Sequence, residues 1–151
     1  RHANLMYQST HLKAFCDLST QTLNQWMGVA PRRWFSYLEG KEFSPRPMLA
    51  DKKLCRDDLL AMATDPGVSN LDCCISILAW GGMNRKYALS ALSCFNRWEA
   101  IVEDMRNCKT SPFEAYERFQ SVRANGQLAG MGIAYFTKLI FFLNRHPGGT
   151  S

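Results

Sequence analysis

Gln127-Leu128-Ala129-Gly130-Met131-Gly132-Ile133-Ala134-Tyr135-Phe136-Thr137-Lys138 is the stretch from which the rest of the chain is read. Before it, Phe113 to Ala124 carries apolar residues at helical spacing, and after it Ile133 to Leu143 does so again. Two glycines, Gly130 and Gly132, stand between the two helices. A tight turn there leaves the first amides of the second helix without carbonyl partners. Bare N–H groups at a helix start attract anions, phosphate above all. Lys138 then falls within a helix otherwise rich in Tyr, Phe, Ile and Leu. Burial among Phe136, Ile140 and Phe141 would favour the neutral amine, which is a nucleophile. Two plainer readings stand beside these. Glycines also serve an ordinary corner between helices, and a lysine can lay its stem along an apolar groove with its head in water.

Working outward, Ser111-Pro112-Phe113-Glu114 signals a helix start, with a serine–glutamate capping box and proline at the first helical position. Phe113, Tyr116, Phe119 and Val122 are expected on its inner face, and Asn125-Gly126 ends it. Leu71 to Trp80 is apolar nearly all round, the mark of a buried central helix. Ser69 or Asn70 caps it and Gly81-Gly82 breaks it. Asn84 opens the next helix, with Tyr87, Ala88, Leu89, Leu92 and Phe95 inward and a bend at Asn96 before Trp98, Ile101, Val102 and Met105. Asp51 is expected to cap a helix through Leu54, Leu59, Leu60 and Met62, which Asp65-Pro66-Gly67 stops. Pro31 begins a helix through Trp34, Phe35 and Leu38 to Gly40. Earlier still, helical spacing covers Leu12 to Leu18 and then Leu23, Trp26 and Met27, ending at Gly28. Ser44-Pro45-Arg46-Pro47 is a turn, and the pieces on either side are too small to fold alone. No alternating stretch reads as a strand and no repeat is visible. The expectation is an all-α chain forming one helical domain over residues 1–151, with a helix-hairpin-helix unit at residues 113–143.

The composition allows a sizeable core: 151 residues, 46% hydrophobic and 21% charged. A net charge of +5 gives a mild bias toward polyanions. None of the six cysteines forms a C-x-x-C pair, and the three histidines do not group with them at metal-ligand spacing. With no signal peptide and no apolar run long enough to span a bilayer, the expected setting is reduced and intracellular, on the nucleoid in a bacterium. Cys73 and Cys74 read as packing residues, and His2, His11 and His146 receive no role. Trp26, Trp34 and Trp80 are core residues by spacing, or aromatic surfaces on which an extruded base could stack. Arg85 and Lys86 are a solvated helix start or phosphate contacts.

Leu128-Ala129-Gly130-Met131-Gly132 resembles the Leu-Pro-Gly-hydrophobic-Gly hairpin of the helix-hairpin-helix DNA glycosylases. Gly132 to Phe142 resembles the lysine-bearing helix of the 8-oxoguanine DNA glycosylases, in a divergent branch near the archaeal type. Leu71 to Leu92 resembles the central helix of that superfamily and the segment beyond it. The resemblance implies a base-excision glycosylase and lyase that acts on an oxidised purine in duplex DNA. Lys138 would be the catalytic nucleophile. Gly130, Met131 and Gly132 would hold a phosphate, and Trp80, Gly81, Gly82, Asn84 and Arg85 would meet the DNA around the flipped nucleotide. It also implies a monovalent cation on the carbonyls of Gln127, Leu128 and Gly130. No other metal, organic cofactor, membrane or protein partner is expected, and the protein is expected to be a monomer.

Three departures accompany the resemblance. Ala129 replaces the hairpin proline. The usual lysine position, four residues past the first hairpin glycine, is Ala134, and Lys138 lies four further on. Residues i and i+4 share a helix face, so Lys138 points the same way about 5.4 Å deeper. The family also uses an aspartate opening a helix beyond the hairpin, and no acidic residue follows Glu117 here; the expectation is that this helix lies past Ser151. Two other functions fit the same residues: a non-catalytic helix-hairpin-helix module gripping DNA backbone, and a helical protein-interaction domain in which Phe136, Ile140 and Phe141 pack.

Overall fold

A computed structural model describes residues 26–144. Among them are seven helices and no strand: α1 (Pro31–Phe35), α2 (Arg56–Ala63), α3 (Asn70–Trp80), α4 (Arg85–Ser93), α5 (Phe95–Arg106), α6 (Pro112–Ala124) and α7 (Ile133–Leu143). The fold class is all-α, as the sequence implies. The helices expected from Leu12 to Leu23, the three histidines and the tail beyond Asn144 lie outside the described residues.

The order of the elements follows from their caps. Ser69 Oγ accepts the Asp72 amide at the start of α3, and Asn84 Oδ1 accepts the amides of Lys86 and Tyr87 at the start of α4. The Ser111–Glu114 box forms as the sequence requires, each side chain taking the other's backbone N–H. Such caps supply acceptors for amides that the first helical turn leaves bare, each worth about 1 kcal/mol. Helix α3 is buried on every side from Asp72 to Trp80, so it is the axis about which α1, α2, α5 and α7 pack. Its buried side chains, Ile75, Ile77 and Leu78 among them, each stabilise the fold by about 1.5–3 kcal/mol through loss of apolar contact with water. Its one buried acid, Asp72, is paired with Arg46 of the Pro45–Pro47 turn, which ties that turn to the core.

Arg106, on the last turn of α5, donates to the carbonyls of Met62, Ala63, Asp65 and Val68 and to Asn70 Oδ1. It thereby satisfies carbonyls at the C-terminal end of α2 and holds α2, α3 and α5 together. Cys73 and Cys74 are packing residues; burial pushes the Cys73 thiol up to about 11.

Several local expectations need correction. Helix α1 stops at Phe35 and does not run through Leu38 to Gly40. Helix α2 starts at Arg56, not near Asp51. Asp58 reaches back to the Cys55 amide, while Asp51 lies out in solvent 3.9 Å from Arg32. The joint between α4 and α5 falls at Cys94 rather than Asn96. Phe113 and Tyr87 face outward, because the proline-led first turn of α6 and the start of α4 overhang the core instead of resting on it. Trp26 and Met27 are not helical, and Gly28 does more than end a segment: its positive φ lets it lie directly on the Trp80 backbone.

Candidate active site and nucleic-acid interface

The hairpin is built on two apolar pegs. Leu128 and Met131 are both buried, and the Met131 amide donates to the Leu128 carbonyl at 3.2 Å. With the pegs turned inward, Ala129 and Gly130 are left at the surface. Gly130 touches α4 with its backbone. A Cβ placed on it would stand 2.4 Å from the Tyr87 carbonyl oxygen. That contact fixes the hairpin against the first turn of α4.

Gly132 caps α7 without a side chain. The amides of Gly132, Ile133 and Ala134 donate to no group among the described residues. They form the bare N-terminus that the glycine spacing implies, and a shallow depression of about 360 Å³ lies over the hairpin, lined also by Arg123. The sequence reading missed Arg123. Its signal was available: a cation on the last turn of α6, two residues before the hinge begins.

Lys138 is half-buried, and its contacts differ from those expected. Phe136 and Ile140 turn into the core, where Phe136 stacks on Phe119 at 5.1 Å between ring centres. The lysine stem lies instead on Gly81, where an added Cβ would meet Cδ at 3.0 Å and Cε at 3.3 Å. The amine donates to the Ala134 carbonyl at 2.9 Å and sits 5.0 Å from the centre of the Tyr135 ring. It therefore turns back toward the hairpin and recovers part of the one-turn displacement from Ala134. The carbonyl and the ring both favour the ammonium. Burial works against them and is the largest influence, holding the Lys138 pKa below the ordinary lysine value.

The amides of Gly81 and Gly82 end α3 by donating to the carbonyls of Ile77 and Ala79, and the Met83 amide closes the turn on the Leu78 carbonyl. Met83 is buried, while Gly82, Asn84, Arg85, Lys86 and Tyr87 are exposed in succession. A second depression, about 470 Å³, is lined by Val29, Trp34, Tyr37 and Gly82 through Lys86. Thus the hairpin, the start of α4 and the end of α3 form one continuous edge, joined by Gly130 on Tyr87 and by Lys138 on Gly81. Trp80 shares the edge only through its backbone. Its ring is buried edge-on against Phe142 at 5.1 Å, and its indole N–H donates to the Trp26 carbonyl. A stacking role for that ring is closed off by packing. Trp34 is also core, its indole N–H held by the Met83 carbonyl.

Elsewhere, a depression of about 590 Å³ lies between Ala63–Asn70 and Glu99–Asn107, away from both glycine turns. No group of three or more His, Cys, Asp or Glu among the described residues could hold a metal ion, and no described helix is long and apolar enough to cross a membrane.

Comparison with known proteins supplies the name for this arrangement. The OGG family model, described as "Putative 8-oxoguanine DNA glycosylase OGG-like protein", matches residues 20–150. No curated protein and no solved structure gave a match. The match covers most of the chain, with both glycine turns, the central helix and the lysine helix inside it, and the chain belongs to the OGG-like 8-oxoguanine DNA glycosylase family.

Proposed function

We propose that the protein removes an oxidised purine, such as 8-oxoguanine, from duplex DNA and nicks the strand through a Schiff base on Lys138. The observation that carries this reading is the seat of Lys138 on Gly81. It sets a half-buried amine where the hairpin helix meets the turn after the central helix. The bare amides of Gly132 to Ala134, with Arg123 beside them, would hold a phosphate of the lesion strand. Asn84 and Arg85, exposed at the start of α4, would face the space left by the extruded nucleotide, with Gly82 letting the backbone come close.

The neutral Lys138 nitrogen bonds to C1′ as the C1′–N9 bond breaks. The base departs with that electron pair and takes up a proton. Loss of a proton from the nitrogen and opening of the sugar ring give the iminium. Removal of a C2′ proton then expels the 3′ phosphate by β-elimination, and water releases the lysine. A monovalent cation would suit the hairpin carbonyls. Among the described residues, those of Gln127 and Gly130 accept no backbone hydrogen bond, and that of Leu128 accepts only the Met131 amide. Bound there, it would supply positive charge next to a phosphate.

The test is reductive trapping. Protein mixed with 8-oxoguanine duplex and borohydride should give a covalent complex that undamaged duplex does not. Equal affinity for both duplexes, falling steeply with salt and without any trapped species, would instead describe a backbone-gripping module. Absence of DNA binding even at low salt would leave only a protein-interaction domain.

The lysine's surroundings predict a pH profile. Deprotonation makes the nucleophile, and burial lowers the pKa of that step. Single-turnover trapping should rise with pH and level off below the ordinary lysine value of 10.5. A rate still climbing at that pH would show an amine titrating as if in water.

Gly81→Ala separates position from stability. Its φ of −76° suits alanine, and the group it would meet is the flexible end of Lys138. Stability should change by less than about 1 kcal/mol. The displaced amine should trap about 10- to 100-fold more slowly, since a shift on the order of 1 Å can cost that much in rate. Unchanged trapping would mean that the seat on Gly81 does not set the reactive geometry.

A further inference from the structure

Trp26 is the one tryptophan of the four that is not buried: Trp34, Trp80 and Trp98 are core residues, whereas Trp26 is 52% exposed. An isolated surface aromatic needs no explanation in itself. This one is held at both ends. Its indole N–H donates to the Trp80 carbonyl at 2.8 Å, and its own carbonyl receives the Trp80 indole N–H at 3.0 Å. Two residues on, Gly28 adopts a φ of +61° and approaches the Trp80 backbone so closely that a Cβ would lie 2.6 Å from both its Cα and its carbonyl oxygen. The Val29 amide reaches the Ala79 carbonyl. Three separate devices therefore press this segment onto the end of α3, while half of the indole stays open to solvent.

The peptide that fixes the indole, Trp80–Gly81, is also the one on which Lys138 rests. A flat, two-ring surface thus stands across one peptide unit from the Lys138 stem. An extruded base has lost its stacking neighbours, and enzymes that flip bases recover that energy on aromatic side chains. We infer that Trp26 is the stacking platform for the extruded purine, and so a binding residue contributed by the segment before α1. The inference rests on the glycosylase reading and adds the substrate surface that reading lacks. The fused rings of indole match a purine in extent better than a pyrimidine, which favours an oxidised purine over an oxidised pyrimidine.

The test uses the intact protein and two readouts. Because the other three indoles are buried, fluorescence quenchable by acrylamide reports Trp26. Binding of 8-oxoguanine duplex should protect it, and undamaged duplex should protect it less. Trp26→Leu, which keeps an apolar side chain against α3, should slow borohydride trapping by roughly 5- to 150-fold, the span expected for losing one base–aromatic stack. Trp26→Phe should recover part of that loss, and affinity for undamaged duplex should be unchanged in both variants. Equal protection by both duplexes, or Trp26→Leu trapping at the wild-type rate, would overturn the platform while leaving the Lys138 chemistry standing. Failure of the wild-type protein to trap at all would instead strike the glycosylase reading, and the fluorescence comparison would still decide whether Trp26 meets a damaged base.

Discussion

Lys138→Gln should give a folded protein that forms no covalent complex with lesion DNA and excises the base at least about a thousandfold more slowly than wild type. Glutamine keeps the Cβ and Cγ methylenes and puts an uncharged amide over Gly81, where the lysine has Cδ and Cε. Nothing else on the edge changes, so affinity for 8-oxoguanine duplex should stay within a fewfold. The folded-state pKa of Lys138 lies below the unfolded one, so between the two the unfolded chain binds more protons and stability rises with pH. Below both values the folded state carries the cost of a half-buried charge. Removing that charge should leave the melting temperature at neutral pH unchanged or slightly higher. The pH-dependent rise in stability above neutrality should shrink. Borohydride trapping, single-turnover excision and thermal melts on the same preparation check all three. Trapping by the glutamine variant would remove Lys138 from the mechanism whatever its position.

The helices were legible wherever a cap and a period agreed. Ser69, Asn84 and the Ser111–Glu114 box each supply a local acceptor for a local amide, so the signal and its partner lie within three residues. The apolar run from Leu71 to Trp80 also reads correctly as central, because a helix without a polar face has nowhere to sit but inside. The misses share a cause. Asp51 and Cys55 both precede an apolar period, and only the reach of Asp58 back to the Cys55 amide selects the start of α2. Tyr87 and Phe113 keep the helical period but lie on turns that overhang the core. At the site, the hairpin was legible because its two glycines lie only two positions apart in the chain. The seat of Lys138 on Gly81 was not, since no local pattern links residues 57 apart in sequence. The same holds for Trp26 and Trp80, separated by 54 residues. Gly28 shows the limit well: a helix-ending glycine and a glycine pressed on a distant backbone look the same in the chain.

Alanine at the hairpin's two glycines should weaken DNA binding in both cases but cost stability in only one. Gly130 sits at a φ of +83° with the Tyr87 carbonyl where its Cβ would go. The left-handed conformation disfavours alanine by about 1–2 kcal/mol. The clash is with backbone, which cannot swing aside as a lysine end can, so the hairpin must lift from α4. A total loss of about 2–4 kcal/mol is expected, read as a fall of roughly 10 °C in melting temperature. Binding to duplex should fall with it, because the amides of Gly132 to Ala134 are aimed by that contact. Gly132 has a φ of −90° and open space around its missing Cβ. Gly132→Ala should therefore melt close to wild type. Its methyl group would stand on the surface that a phosphate must approach, where glycine permits the shortest distance. Affinity for duplex should drop by about tenfold, the equivalent of roughly 1.4 kcal/mol, without loss of stability. If Gly130→Ala melts like wild type, the hairpin is not anchored on α4. If Gly132→Ala binds DNA as wild type does, the amides at the head of α7 are not the phosphate grip.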